Sequence, residues 1–307
     1  MRYRPFGGTG GAVSDLTLSL GIDTVSRGPD AATELIYRAL EAGINSYRLE
    51  SADPVLAEIA GHALSSVDRK LLNVSLFLGR PDGRRDSARD FSADGLTLAI
   101  DRALRVSNLG WIDIAILDQP GDEELPRSSL DALKALRATG RVYCLGVAGD
   151  NPVMDVYVST GAFDVLSTPY HVDSPWQVRS RIRMAKERDM AIIAQDYFPE
   201  VLDTARKAAK AHEPKKGLFG LSFGSSNKTH ALQAMGGFGF LHQTPNWTAE
   251  EICLAHVLSD SAITSVLVQA NRTDRLEALA AVPDRDMPAG LAAQIEMARV
   301  SMAGKAA

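Results

Sequence analysis

The chain has 307 residues, with 33 Lys and Arg against 38 Asp and Glu, a formal net charge of -5 and a sequence pI of about 5.7. That balance argues against nucleic acid or an anionic membrane as the main partner, although a local arginine cluster can still take a small anion. No apolar run approaches the roughly 18 residues that span a bilayer, and residues 1–9 lack the apolar stretch of a signal peptide, so a soluble, cytoplasmic protein is expected.

In chain order, Gly7, Gly8, Gly10 and Gly11 within residues 1–15 predict a small hairpin. Residues 16–22 read as a first strand. Pro29 and Asp30 open a helix over residues 29–42, with Leu35, Ile36, Ala39 and Leu40 at helical spacing and Gly43 placed to stop it. Residues 44–49 and 54–65 form the second strand and helix, and residues 71–78 and 93–106 the third. Between the latter two lies a charge-rich loop, residues 80–89, expected at the functional end. Fourth come residues 112–117 and 128–138, then 142–147 with a short helix from Pro152, then 163–168 with 175–188. Residues 190–195 give the seventh strand, and 263–268 the eighth, followed by a helix over 273–281. Segment 199–245 stands outside the repeat, with a basic start (Arg206, Lys207, Lys210) and a glycine-rich middle. A loop this long reads either as a solvated, partly helical insertion or as a lid over a site.

Eight strand–helix units in alternation imply parallel pairing and close naturally into a (β/α)8 TIM barrel with an N-terminal hairpin and a long loop after strand seven. A single domain over residues 1–307 is expected. The competing open doubly wound sheet would place a Gly-x-Gly-x-x-Gly turn after the first strand, and the sequence has none there. Cys144 and Cys253 lie far apart in apolar stretches and read as buried free thiols. The six histidines, His62, His171, His212, His230, His242 and His256, show no metal-ligand spacing, so no metal is expected. His171 follows the sixth strand and reads either as structural or as lining the mouth.

Short matches in the right order span nearly the whole chain. They are the opening Met1-Arg-Tyr-Arg-Pro-Phe-Gly-Gly-Thr-Gly-Gly-Ala-Val-Ser-Asp-Leu16, Gly43-Ile44-Asn45, Trp111-Ile112-Asp113-Ile114, Leu145-Gly146-Val147, and Ile263-Thr264-Ser265-Val266-Leu267-Val268 with Arg272, Arg275 and Leu276 after it. Together they resemble the aldo-keto reductases. The resemblance implies the barrel, an NADPH site at its C-terminal face, and reduction of a carbonyl. The family delivers the proton from a tyrosine tuned by a lysine, with an aspartate holding the lysine and a histidine orienting the substrate.

Those positions read differently here. Counted without a gap, the aspartate falls at Arg48, the tyrosine at Asp53, the lysine at Phe77 and the histidine at Asp118. A second register places Glu50 at the aspartate and Val55 at the tyrosine. Neither recovers the tyrosine or the lysine. Arg48, Glu50 and Asp118 are the candidate catalytic residues, with Arg48 and Asp118 expected to face each other as a buried ion pair or a catalytic pair. The cofactor positions that the resemblance implies read Ser167 on the sixth strand, Gln195 at the end of the seventh, and Gln269, Asn271, Arg272 and Arg275 after the eighth. Arginine suits bidentate phosphate binding, and the alternative for Arg272 and Arg275 is a solvated helix face.

Two function classes stay open. One is a pseudoenzyme, a barrel that binds a small-molecule ligand and holds NADP weakly at best. The alternative is an atypical NADP-dependent oxidoreductase acting on a small carbonyl or sugar; a lyase or isomerase with Asp118 or Glu50 as base is a third. A monomer or homodimer is expected.

Overall fold

The computed structural model describes residues 1–9, 11–80, 87–121, 123–199, 202 and 236–303. Strands β1 (Tyr3–Pro5) and β2 (Ala12–Ser14) pair antiparallel as the expected hairpin. Eight strands then close a parallel barrel: β3 (Leu16–Leu20), β4 (Ser46–Leu49), β5 (Asn73–Leu78), β6 (Ile112–Asp118), β7 (Val142–Ala148), β8 (Val165–Pro169), β9 (Ala191–Gln195) and β10 (Ser265–Gln269). Each strand pairs with its sequence neighbour, and β10 closes the ring onto β3 through Leu267 opposite Thr17.

The connecting helices are α1 (Ile22–Val25), α2 (Pro29–Glu41), α3 (Pro54–Leu64), α4 (Ala93–Ser107), α5 (Arg127–Ala138), α6 (Val153–Thr160), α7 (Trp176–Glu187), α8 (Ala249–Ser259), α9 (Thr273–Ala280) and α10 (Leu291–Ala303). Alternation along each strand makes two cores. Leu18, Leu49, Leu76, Leu117, Leu166 and Val268 face the helices. Ile114, Ile116, Cys144, Val165, Ile193 and Leu267 fill the barrel, together with Phe6 and Val13 of the hairpin, which plugs its N-terminal end. Beside that aliphatic filling lies a hydroxyl layer: Thr17 Oγ1 meets Ser46 Oγ at 2.9 Å and Ser265 Oγ at 2.7 Å.

Two polar staples fix the plug. Asn45 accepts the Ser14 N–H and donates to the carbonyls of Ala12 and Leu71. Arg4 pairs with Asp15 at 2.5 Å and donates to the carbonyls of Leu258, Asp260 and Ile263, covering the C-terminal end of α8.

The first strand is shorter than its apolar run. Gly21 turns the chain at the N-terminus of α1, and Ile22 is exposed. The predicted strand starts at 44, 71 and 163 also fall back, to Ser46, Asn73 and Val165, because the leading residues make the turns into the barrel. Helices α8 and α10 lack the amphipathic signature. In α8, Ile252, Cys253, Leu254, Val257 and Leu258 are all buried, so its apolar residues run around the helix rather than along one stripe. Of segment 199–245, Gly236–Gln243 is a 3-10 helix; residues 203–235, with the basic start and half of the glycines, lie outside the described residues, and so does the question of a lid. No described helix is long and apolar enough to cross a membrane.

Candidate functional site

The C-terminal ends of the barrel strands gather the polar side chains that alternation directs inward. Arg48, on β4, pairs in register with Ser19 on one side and Ser75 on the other. It is only 4% exposed. Its Nε and Nη2 each stand 2.9 Å from Glu50 Oε1, and Ser19 Oγ donates to that same oxygen. Its Nη1 donates across the barrel to Gln195 Oε1 at 3.1 Å and Ser167 Oγ at 3.4 Å, and Ser167 Oγ donates to Gln195 Oε1 at 3.1 Å. The guanidinium carbon lies 4.6 Å from the centroid of the Phe77 ring, a cation–π contact.

The expected Arg48–Asp118 pair does not form. Arg48 takes Glu50, two residues along its own strand and so on the same face, while Asp118 takes Arg80 at 2.6 Å. Arg80 reaches it because Gly79, at φ +109°, turns the chain off β5 against Phe91. A Cβ at Gly79 would stand 2.3 Å from that ring. Arg89, at the other foot of the same loop, donates to the Gln119 carbonyl and pairs with Glu124 at 2.8 Å. The two ends of the charge-rich loop, Arg80 and Arg89, thus sit at the strands' C-terminal end, and residues 81–86 lie outside the described residues. Two rim residues without glycine's freedom, Gln119 and Asp196, each hold φ +50° directly after a barrel strand. Such conformations concentrate where function constrains the backbone.

Neither residue that the resemblance places at the tyrosine lies in this network. Asp53 caps α3 by accepting the Leu56 N–H, and Val55 is exposed on that helix. No described lysine stands at the rim: Lys70 lies in the turn before β5, Lys134 on α5 and Lys186 in the last turn of α7. The tyrosines near the mouth are engaged elsewhere. Tyr170 donates to Asp260 at 2.9 Å and Tyr197 to Glu250 at 2.9 Å, and burial with those carboxylates raises both phenols above their ordinary range. His171 accepts the Asp173 N–H at Nδ1, which leaves its proton on Nε2, and burial lowers its pKa. Burial pushes the Cys144 thiol up to about 11 and raises Cys253 as well, so neither is a ready nucleophile.

The six cofactor candidates fall into two groups. Ser167 and Gln195 meet in the Arg48 network. Gln269, Asn271, Arg272 and Arg275 lie together beyond β10. There the Gln269 carbonyl accepts Arg275 Nε at 3.0 Å, the Asn271 carbonyl accepts Arg27, and Arg275 pairs with Glu250 at 2.6 Å. Arg272 pairs with Asp274 through two bonds on an exposed surface. Sequence reasoning missed Ser19, Arg80 and Glu250. Glu250 had one local signal, since it sits inside the Thr248–Glu251 capping box that starts α8. No set of three or more His, Cys, Asp or Glu among the described residues suits a metal ion.

The closed parallel barrel with an N-terminal hairpin is a fold shared with a solved aldo-keto reductase. Among solved structures, aldo-keto reductase AKR11C1 from Bacillus halodurans in its holo form matches with a TM-score of 0.75 and 16% identity, over 97% of this chain and 96% of that chain. The apo form of the same reductase matches with a TM-score of 0.68 and 16% identity, over 97% and 95%. No protein-family model matches the sequence, and no curated protein does. At this identity the likeness establishes the fold.

Proposed function

We propose that this chain is a ligand-binding barrel of aldo-keto reductase fold that does not reduce carbonyls with NADPH. One observation carries the reading: the place expected for the tuning lysine holds Phe77, and that ring is packed under the Arg48 guanidinium. A phenol serves best as a general acid where its pKa is brought toward the working pH. Tyr170 and Tyr197 are shifted the other way, and each donates its proton to a carboxylate of the chain.

A ligand site at the strands' C-terminal end is supported by what remains there. Arg48, Glu50, Asp118, Arg80 and Gln195 are buried or half-buried, mutually oriented by hydrogen bonds, and set among rim loops with constrained backbone. In a barrel of this kind that end is where function is built. Below the rim, Phe77, Arg80, Leu96 and Ala99 line a cleft of about 90 Å³ beside the mouth.

The residues present do not fit the NADP(H) that the resemblance implies. Ser167 and Gln195 are bonded to Arg48, while Arg275 and Arg272 are matched by Glu250 and Asp274. The test is a panel of aldehydes and ketones with NADPH, followed by absorbance. No turnover above the buffer rate is expected; steady turnover abolished by Asp118→Ala would establish the oxidoreductase instead.

A further inference from the structure

Oxidised nicotinamide is a flat, positively charged ring bearing a hydrogen-bonding amide. The mouth of this barrel already contains a flat cation bonded to Ser167 and Gln195, two positions where the resemblance implies cofactor contacts. The Arg48 guanidinium stacks 4.6 Å from the Phe77 centroid, donates to Ser167 and Gln195, and sets its charge against Glu50 at 2.9 Å. It is almost wholly enclosed.

We propose that Arg48 is a resident substitute for the nicotinamide: a side chain that fills the ring's place, keeps the top layer of the barrel ordered without a cofactor, and shuts NADP(H) out. The inference rests on the reading of the chain as a non-reducing barrel and extends it from missing chemistry to an occupied site. The phosphate end follows the same logic. Glu250, 8% exposed, lies on Arg275 and also accepts Tyr197, so an incoming phosphate would have to displace a carboxylate already held by both. Glu250 and Asp274 thus stand as the chain's own anions on the two arginines.

A guanidinium is more than a positive charge. It is planar and offers a fork of donors, which lysine does not. That difference makes the proposal testable without any activity assay. Wild-type protein titrated calorimetrically with NADP+ is expected to give no saturable heat. Arg48→Gly is expected to melt several degrees lower, and millimolar methylguanidinium to restore part of that loss, at least tenfold more effectively than methylammonium and with no effect on wild type. Arg48→Lys, which keeps the charge and loses the fork, is the second variant should Arg48→Gly not fold, and it is expected to melt well below wild type.

Micromolar NADP+ binding by wild type would overturn the proposal. So would an Arg48→Gly protein indifferent to methylguanidinium, or an Arg48→Lys protein as stable as wild type. NADP+ binding without aldehyde turnover overturns this inference and the misfit with NADP(H), and leaves the non-reducing reading standing. Turnover with NADPH overturns the functional reading on which it stands.

Discussion

At the scale of residues, the most consequential group is Glu50. It is the carboxylate facing a buried arginine, with one oxygen accepting from Arg48 Nε, Arg48 Nη2 and Ser19. Removing one partner of a buried pair leaves the other charge uncompensated, which costs far more than the pair contributes. Glu50→Ala should therefore lower unfolding free energy by about 3 kcal/mol, and Glu50→Gln by less, because an amide oxygen still accepts. Urea denaturation midpoints decide this; an unchanged midpoint for Glu50→Ala would mean that Arg48 finds water or another acceptor. By contrast, Arg272→Ala should leave the urea midpoint essentially unchanged, since its bridge to Asp274 is exposed on both sides.

Among the elements, the hairpin matters beyond its six strand residues. It inserts Phe6, 4% exposed, into the floor of the barrel, where the side chain joins Val13, Ala191 and Ile193. Phe6→Ala should cost about 3–4 kcal/mol through lost burial and the cavity left behind. The loss should appear as a lower melting temperature with the ring of parallel strands retained in far-ultraviolet circular dichroism. Helix α8 is started by a reciprocal cap, with Thr248 Oγ1 accepting the Glu251 N–H and Glu251 accepting the Thr248 N–H. Thr248→Ala should cost about 1 kcal/mol. Because α8 also presents Glu250 to Arg275 and Tyr197, fraying it should loosen that cluster as well; hydrogen exchange over residues 249–259 would read this directly.

At the level of the whole molecule, two half-buried imidazoles set a pH window. Burial lowers the pKa of both His171 and His256 below 6.5; around His256, Glu296 and Asp260 pull upward while Arg179 and Arg299 pull downward. The unfolded chain therefore binds these protons at a higher pH than the folded one. Their contribution to stability is full above about 6.5 and is lost as the pH falls from there through the folded values. Melting temperature should drop across that window, and the His171→Gln, His256→Gln double variant should flatten the drop. Glu296 and Asp274, whose carboxyls are lowered chiefly by hydrogen bonds from Arg299 and Arg272, lose their contribution only in the more acidic range below 4.5 and 3.8.

The barrel was legible in the chain because its determinants are local. Strand runs bounded by helix starts such as Pro29, and stops such as Gly43, repeat often enough to define the topology. Neither of the two registers puts a tyrosine or a lysine at the tetrad positions that the resemblance implies, and that much is a reading of the sequence alone. Pairing was not legible. Arg48 could have faced Asp118 from two strands away; closure of the ring instead brings Ser167 and Gln195 across to it and leaves Asp118 to Arg80. Likewise nothing near Arg275 in sequence announces Glu250, 25 residues earlier, as its counter-charge. Periodicity is a property of neighbours along the chain, whereas the partner of a charge is set by which strand ends converge in space. The candidate residues could therefore be named in advance, but only the closed barrel decided which of them meet.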